Sequence, residues 1–405
     1  MARNPSRAGR YITQQPGSYK AFIPAPLPPK PAVRMDAQMQ SLLSRADQAV
    51  GRLDGVIQTL PNADLFIYMY VRHEAVLSSQ IEGSQSTLQD LLAVELEPER
   101  LGLPDDVEEV VNYVRAMNHG MERLADLPLS LNLLREIHAE LLKSGRGSKR
   151  RPGEFRQEQN WLGEEDAPIT RATFIPPPPH EMKAALHEFE LFLHRERQLP
   201  DLVHVGLAHA QFETIHPFLD GNGRVGRLLI TFLLVYRGVL HRPLLYLSLY
   251  LKRHRAEYYD RLTAIREAGD WEGWIRFFLR GVAETSADAT TTARAILALR
   301  DQHRTLLQEK NVGVKGLRLL EALYTLPVIN VKVASGLLEV HYVTASKLVE
   351  RFQDLGLLAE VTGRKRDRVF SYEPYVGLFR EEPIMDRAVP FETTAVPEDF
   401  ANRSA

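Results

Sequence analysis

A helical repeat of apolar residues is the feature that most limits how this chain can fold. Apolar side chains recur every three or four positions over residues 37–145, and the same period resumes after residue 180 and continues to about residue 310. No long alternation of apolar and polar residues, which would indicate half-buried strands, interrupts these stretches. The sequence therefore predicts a mainly α fold, with proline and glycine marking the breaks between helices.

Composition narrows the classes of function. The 405 residues carry a net charge of −2, so any contact with nucleic acid requires a local basic patch. The absence of cysteine excludes disulfides, thiolate catalysis and cysteine-ligated metal centres, and it fits a reducing compartment. The N-terminus lacks the apolar core of a secretory signal, and the longest apolar run, residues 228–236, is too short to span a bilayer. We expect a soluble, cytoplasmic protein without a membrane segment.

Two segments rich in proline and glycine flank the first helical stretch. Residues 1–35 are expected to form an extended strap against the body, because each proline disfavours helix in the residue before it. Proline and glycine break the helical pattern again over residues 146–180. Within this break, residues 160–174 are expected to form a hairpin, which the prolines at 176–179 close.

The composition changes after the second helical stretch. Short helices over 331–338 and 343–354 are separated by a turn, and two strand-like runs, 358–361 and 369–372, enclose a basic turn at 362–368. Helix, turn, helix and a small hairpin form the outline of a winged helix. The last twenty-odd residues are polar and are expected to be a loose tail.

One twelve-residue segment carries the chemistry of the chain. Residues 216–227 read His-Pro-Phe-Leu-Asp-Gly-Asn-Gly-Arg-Val-Gly-Arg, and an apolar helical run follows them. Gly221 and Gly223 allow a tight loop and a close approach of a ligand to the main chain. Free N–H groups at a helix start favour an anion, and Arg224 and Arg227 share one face a turn into the helix. The segment predicts a polyphosphate site.

Two further side chains of this segment suit phosphate chemistry. Asp220 is a hard oxygen ligand suited to Mg²⁺ that already contacts phosphates. His216, at the entrance of the loop, can accept a proton near neutral pH. Each residue alone has an ordinary explanation, as a loop histidine, a helix cap or a solvated arginine. Their combination in twelve residues favours a nucleotide site.

The pattern His-Pro-Phe-x-Asp-Gly-Asn-Gly-Arg-x-x-Arg is the signature of Fic-domain proteins, and this chain resembles that family at every fixed position. Residues 152–156 and 159–161 resemble the segment that enters the family's flap, residues 174–178 its exit, and residues 271–279 its closing helix. The resemblance covers most of residues 10–285. It implies a helical Fic core with a β-hairpin flap.

The same resemblance implies an activity, the transfer of AMP from ATP to a Ser, Thr or Tyr hydroxyl of a target protein. His216 would be the general base for that hydroxyl, and Asp220 would hold Mg²⁺ between the α- and β-phosphates. Glycine at 223, where the phosphate-transferring branch of the family has lysine, is typical of an AMP transferase. The remaining ATP-binding residues implied are Phe218, Leu219, Gly221, Asn222 at the α-phosphate, Gly223, Arg224 at the β-phosphate and Arg227 at the γ-phosphate.

Two tyrosines are candidates for the adenine end of the site. Tyr258 and Tyr259 match a pair that many relatives place near the base. Relatives often carry asparagine just upstream, where this chain has His254. Amphipathic packing explains a tyrosine pair equally well.

A glutamate far upstream is the candidate regulator. Ser78, Glu82 and Gly83 follow a helical run, and Ser78 and Glu82 lie four residues apart on one face. Alone, they are typical of a helix end with a solvated glutamate and a glycine cap. Ser/Thr-x-x-x-Glu-Gly resembles the Fic inhibitory motif, which implies that Glu82 pairs with Arg227, restrains the γ-phosphate and can also support removal of AMP from the target.

The sequence predicts four parts. They are an N-terminal strap and helical region with the inhibitory helix (1–125), the Fic catalytic domain (126–285), a linker helix with the winged helix (286–375) and a C-terminal tail (376–405). Expected partners are ATP, target proteins, the chain itself as a substrate, and a second copy in a homodimer.

The basic residues of the predicted winged helix support a rival function. Lys347, Arg351 and the basic turn could contact phosphates of DNA. The alternative is therefore a DNA-binding transcription regulator with a vestigial Fic core, although a winged helix also serves protein contacts or packing. The intact motif argues against the rival function.

Overall fold

The structure is a computed structural model that describes residues 7–15, 19–58, 64–96, 103–163, 167–195, 198–364 and 366–380. Helices dominate these residues, as the apolar period predicts. The helices are α1 (Ala37–Gln58), α2 (Asp64–Ile81), α3 (Leu88–Leu96), α4 (Asp105–Leu124), α5 (Leu131–Leu141), α6 (Pro179–Leu193), α7 (Asp201–Ile215), α8 (Asn222–Tyr236), α9 (Ser248–Arg253), α10 (Arg255–Ala268), α11 (Trp271–Glu309), α12 (Gly313–Leu323), α13 (Val331–Leu338), α14 (Tyr342–Asp354) and α15 (Glu373–Val376). The strands are β1 (Gly9–Thr13), β2 (Lys20–Pro24), β3 (Val328–Asn330), β4 (Ala359–Glu360) and β5 (Val369–Ser371).

Helices α7 and α8 form the centre of the larger hydrophobic core. All of α7 after its first residue is buried, and so is nearly all of α8. A helix that is buried on every side has no polar face, and α7 accordingly shows no apolar period. The charged residues of α8, Arg224 and Arg227, are confined to its first two turns. This arrangement brings charge to one end of an otherwise apolar centre, at the loop between the two helices.

The N-terminal strap is a hairpin rather than a single extended segment. Strands β1 and β2 pair antiparallel with Gly9 opposite Pro24. The second strand lies on the body, where Phe22 is buried and its N–H donates to the carbonyl of Ile175 at 2.9 Å. Residues 1–6 and 16–18 of the predicted strap lie outside the described residues.

The segment predicted as a flap hairpin is closed by one antiparallel bridge. The N–H of Leu162 donates to the carbonyl of Phe174 at 2.8 Å, and the N–H of Thr173 returns a bond to Leu162 at 2.8 Å. Between them, Pro168 lacks an N–H and leads into a 3-10 turn, Ile169–Arg171, so the described residues cannot extend the ladder there. Residues 164–166 lie outside the described part.

One long helix connects the core to the C-terminal unit. Helix α11 has 39 residues and crosses the boundary expected at residue 285 without a break. Beyond it, α12, α13 and α14 pack with an antiparallel sheet of order β3-β5-β4. These elements fit the outline of a winged helix, and that interpretation stays a prediction; Lys365 of its basic turn lies outside the described residues.

The start of the predicted tail is ordered. Residues 376–380 end α15 and form a 3-10 turn, and the buried ring of Phe379 lies 5.5 Å from the ring of Tyr70 in α2. The remainder of the tail, residues 381–405, lies outside the described residues. Across the described residues, no helix combines the length and apolar character needed to cross a membrane.

Candidate active site

The loop between α7 and α8 is defined by two left-handed residues. His216 ends α7 with φ 49°, and Gly221 precedes α8 with φ 77°. Glycine adopts this conformation freely, whereas a non-glycine residue there costs roughly 1–3 kcal/mol and persists only where its surroundings fix it. The contacts that fix His216 are therefore part of the site.

Arg156 supplies those contacts. Its side chain is 1% exposed and donates to the backbone carbonyls of His216 at 3.0 Å, Pro177 at 2.5 Å and Glu158 at 3.2 Å. Burial lowers the pKa of this guanidinium to about 10, so it remains charged at pH 7. Arg156 therefore ties the backbone of His216 to both ends of the flap segment.

The amide of Asn222 fixes the interior of the loop. Its Oδ1 accepts from the N–H of Phe218 at 2.8 Å, and its Nδ2 donates to the carbonyl of Phe218 at 2.8 Å. Asn160 from the flap segment donates to the same carbonyl at 2.9 Å. The Asn222 side chain thus shapes the loop, while the half-buried Leu219 lies beside it.

His138 supports the loop from α5, although it belongs to none of the motifs in the sequence. Its ring stacks on Phe218 with 3.7 Å between centroids. Its Nδ1 accepts from the N–H of Gly153 at 2.8 Å, so the ring proton is on Nε2, which donates to the carbonyl of Asp220 at 3.0 Å. Burial lowers the pKa of His138 to about 4 and keeps it in this neutral form. A histidine on the apolar face of α5 was the only available signal.

The imidazole of His216 is neutral at physiological pH. Burial, aided by the nearby charge of Arg156, lowers its pKa to about 4. Among the described residues, no partner meets its buried Nδ1 in good hydrogen-bond geometry, although a hydrogen bond with the backbone of Glu213 opposes the fall in pKa. A neutral imidazole can accept a proton, and we assign this role to Nε2 because Nδ1 is buried.

Arg224 is a buried cation with unused donors. Its side chain is 3% exposed, its Nη1 lies 3.5 Å from Glu109 Oε2, and its Nη2 lies 3.6 Å from Asp220 Oδ1. Within the part of the chain that the structure describes, neither Nε nor Nη1 has a hydrogen-bond partner. Buried donors of this kind are costly unless an acceptor meets them, and a phosphate oxygen is a suitable acceptor.

Arg227 is paired with the end of α2. Its Nη2 donates to Glu82 Oε1 at 2.7 Å, and its Nε donates to Ser78 Oγ at 2.7 Å. Burial alone raises the pKa of the Glu82 carboxyl, but the charge and hydrogen bond of Arg227 outweigh it and the net pKa is lowered. Gly83 follows with φ 101°, a conformation that favours glycine. The chain therefore brings one carboxylate onto the second arginine of the loop motif.

Glu82 also lies against the start of α8. A Cβ placed on Gly223 would be 2.2 Å from Glu82 Oε1 and 3.0 Å from Arg227 Nη1. A side chain at position 223 would therefore require the Glu82 carboxylate to move.

The two candidate adenine-contact tyrosines differ in position. Tyr258 is 1% exposed, and its hydroxyl lies 3.0 Å from His209 Nε2. Tyr259 is 38% exposed and has the Arg255 guanidinium 5.5 Å from its ring centre. Tyr258 is thus packed in the core and Tyr259 is the more accessible of the two, and contact of either with a base stays a prediction.

Comparison with known proteins places this geometry in a family. The model of the Fic/DOC family N-terminal region matches residues 40–122, and the model of the Fic/DOC family matches residues 128–234, which include the whole loop motif. The chain therefore contains a Fic domain, preceded by the N-terminal region that this family carries. Its Fic domain therefore contains α5 to α8 and the flap segment.

Curated relatives of this Fic protein carry an enzyme name. A protein adenylyltransferase Fic of Culex quinquefasciatus is 32% identical over 177 residues, which are 43% of this chain and 32% of the relative. One of the same name from Drosophila melanogaster is 28% identical over 250 residues, which are 60% of this chain and 46% of the relative. The chain thus spans about a third to a half of the length of these relatives.

Solved structures support the Fic fold. A Fic family protein from Desulfovibrio desulfuricans has a TM-score of 0.51 at 19% identity and covers 84% of this chain and 97% of its own. A Fic domain containing signaling protein from Bacteroides thetaiotaomicron has a TM-score of 0.51 at 20% identity and covers 62% and 97%. Both likenesses concern the fold alone.

Proposed function

We propose that this chain transfers AMP from ATP to a Ser, Thr or Tyr hydroxyl of a protein. The observation that carries the proposal is the cluster at the start of α8. A neutral histidine, a partly exposed carboxylate and a buried arginine with unused donors meet within one loop. The names of the curated relatives support the same reaction.

The proposed reaction is a displacement at the α-phosphate. The target hydroxyl oxygen bonds to the α-phosphorus, the bond from that phosphorus to the β-phosphate oxygen breaks, and pyrophosphate leaves. His216 Nε2 takes the hydroxyl proton. Because the Asn222 amide bonds Phe218, we assign α-phosphate contacts to the backbone N–H groups at the start of α8.

Asp220 is the proposed residue for Mg²⁺ that arrives with ATP. Its side chain is 36% exposed, and Oδ1 accepts from the N–H of Gly221 at 2.6 Å. Within the described residues, no group of three acidic or histidine side chains forms a metal site. A single carboxylate fits a magnesium ion whose other ligands are phosphates and water. The ion would neutralise charge on the leaving pyrophosphate.

The first experiment distinguishes this reaction from phosphate transfer. The chain is incubated with Mg²⁺ and ATP labelled on either the α- or the γ-phosphate, and modified proteins are located by mass spectrometry. We expect the α-label, but not the γ-label, to enter protein, including the chain itself. Retention of the γ-label alone would show a kinase, and retention of neither would contradict the proposal.

Inhibition by Glu82 is the second part of the proposal. Its pairing with Arg227 occupies the guanidinium assigned to the γ-phosphate. A carboxylate 34% exposed beside the motif could also serve as a base for water, so removal of AMP stays a prediction. Homodimer formation and a cytoplasmic location also stay predictions.

Gly223→Ala is expected to increase AMP transfer by about tenfold. The new Cβ would lie 2.2 Å from Glu82 Oε1, too close for contact, so the carboxylate must move away and release Arg227. Initial rates of α-label incorporation measure the effect. Gly336→Ala, on α13 with nothing within 4 Å of the added Cβ, is the matched control. A Gly223→Ala protein that is folded and still as slow as wild type would contradict the steric argument.

The C-terminal unit supports duplex DNA binding as a second candidate function. At the start of α14, Tyr342 is 60% exposed and Val343 is 64% exposed. Lys347, Arg351 and Arg364 are also exposed. Such a surface fits the major groove of DNA, where the apolar pair can contact thymine methyl groups and the cations can contact the phosphates on either side.

Selection of bound duplexes from a random library tests this second candidate. Wild type is expected to select duplexes that share a sequence pattern, and Val343→Ala is expected to select them less strictly. Lys347→Ala should weaken binding to all duplexes and reduce its salt dependence, whereas Arg45→Ala on α1 should leave it unchanged. If wild type and all variants bind duplexes equally and without sequence preference, DNA binding is rejected as a function. AMP transfer would then be the one proposed function that remains.

A further inference from the structure

A loop outside the family motif lies against the phosphate end of the site. It follows α5 and contains Arg146 and Gly147. Gly147 has φ 88°, and a Cβ there would lie 2.7 Å from Asp220 Oδ2. The loop is also fixed on α4, because the buried Asn112 donates to the carbonyl and the hydroxyl of Ser144, each at 3.1 Å. Arg146 is therefore held between a rigid helix and Asp220.

Arg146 and Arg224 share one buried carboxylate. Glu109 is 1% exposed, and its Oε2 lies 3.4 Å from Arg146 Nη2 and 3.5 Å from Arg224 Nη1. Its Oε1 accepts from Arg146 Nε at 2.8 Å. The second carboxylate beside this pair is Asp220, 3.6 Å from Arg224 Nη2, and it is the residue proposed for Mg²⁺. Hydrogen bonding to Glu109 raises the pKa of Arg146, and the charges of Glu109, Asp106 and Asp220 add to this.

Arg146 differs from the two motif arginines in its exposure. Its side chain is 53% exposed, whereas those of Arg224 and Arg227 are almost wholly buried. Arg227 already has Glu82 as a partner. Arg146 therefore combines a fixed stem with a guanidinium that a charged ligand can reach from solvent.

We infer that Arg146 is a third phosphate-binding arginine, which contacts the β- and γ-phosphates of ATP and hence the pyrophosphate that leaves. This inference rests on the proposed function, since it names a further residue of the same nucleotide site. Glu109 orients both guanidinium groups, and the exposed guanidinium of Arg146 and the unused donors of Arg224 suit the oxygens of a polyphosphate. With Arg227 paired to Glu82, Arg146 and Arg224 are the cations that hold the polyphosphate in the inhibited chain.

Binding of ATP, ADP and AMP to the full chain, each with Mg²⁺, tests the assignment by calorimetry. Arg146→Ala is expected to weaken the binding of ATP and ADP by about tenfold and to leave the affinity for AMP unchanged. Only ATP and ADP carry phosphates beyond the α-phosphate, which are the ones that Arg146 contacts. Arg150→Ala removes the same charge from an exposed position in the same loop region and is the matched control. Equal ATP affinity for wild type and Arg146→Ala would overturn the inference.

A second variant separates direct contact from an effect through Glu109. Without Arg146, Glu109 would pair with Arg224 alone and could draw the Arg224 guanidinium away from the nucleotide. If so, Arg146→Ala combined with Glu109→Gln would restore ATP affinity, and that result would overturn direct contact. We expect the double variant to remain weak. A wild-type chain that binds none of the three nucleotides would instead overturn the proposed function itself.

Discussion

Replacement of His216 by alanine is expected to lower AMP transfer by about 10²–10⁴-fold, the range of general base catalysis, while ATP still binds. The imidazole has a pKa of about 4 and is neutral at pH 7, so wild type has a base ready for the hydroxyl proton. No atom of His216 is needed for the proposed phosphate contacts, which come from α8 and its arginines. The loss should therefore fall on kcat.

Two measurements check this result. Transfer is followed with α-labelled ATP, and ATP affinity is measured by calorimetry on the same preparation. His180→Ala, which removes a histidine that is 76% exposed, controls for the loss of an imidazole as such. If His216→Ala lost ATP binding to the same degree as transfer, the histidine would have a binding role in place of the catalytic one.

The chemistry of the motif could be predicted from sequence because its residues are contiguous. His216, Asp220 and Arg224 follow one another within a single loop and helix turn, so local rules on glycine and helix ends apply directly. The pairing of Glu82 with Arg227 joins residues 145 positions apart. No local rule connects such positions, and only the resemblance to a known family suggested that contact.

The supports of the loop could not be predicted, because they come from distant parts of the chain. His138 and Arg156 are 82 and 60 residues from the atoms they bond. The inward direction of Tyr258 depends on His209 in α7, which no periodicity in α10 reveals. Both amide atoms of Asn222 bond Phe218 within the loop, which no local pattern indicates, and the α-phosphate contact that the resemblance implies for Asn222 stays a prediction.

The fold was predictable where local patterns decide it. The spacing of apolar residues predicts the mainly helical core, and proline and glycine predict the breaks between its helices. The N-terminal prolines predict an extended strap, but they do not reveal that the strap pairs with itself as a hairpin. The hydrogen bond from the strap to Ile175 in the flap segment is a long-range contact and could not be predicted either. Phe379 contacts Tyr70 across more than 300 residues of sequence, so its burial could not be read from a polar C-terminus.

Glu82→Gly is expected to raise AMP transfer by about a hundredfold. In the resting chain, Glu82 Oε1 lies 2.7 Å from Arg227 Nη2 and takes the guanidinium assigned to the γ-phosphate. ATP then meets a site whose triphosphate cannot adopt the in-line pose, and a misplacement of about 1 Å can cost on the order of a hundredfold in rate. The glutamate lies just beyond the end of α2, so glycine there does not interrupt the helix.

The pair can be tested as a unit. In an Arg227→Ala background, Glu82→Gly should give no further gain, because each variant removes the same contact. Gln85→Gly, at an exposed position three residues further on, controls for added backbone freedom after α2. ATP affinity should change little in Glu82→Gly, since Arg224 and the start of α8 are untouched.

The direction of the change distinguishes three roles for Glu82. A glutamate that only ends a helix predicts no change in rate, and a catalytic glutamate predicts a loss. An inhibitory glutamate predicts a gain that depends on Arg227, and self-modification with α-labelled ATP measures it directly. A folded Glu82→Gly protein with an unchanged or lower rate would remove the inhibitory role and leave the transferase proposal to be judged on His216 and Arg224 alone.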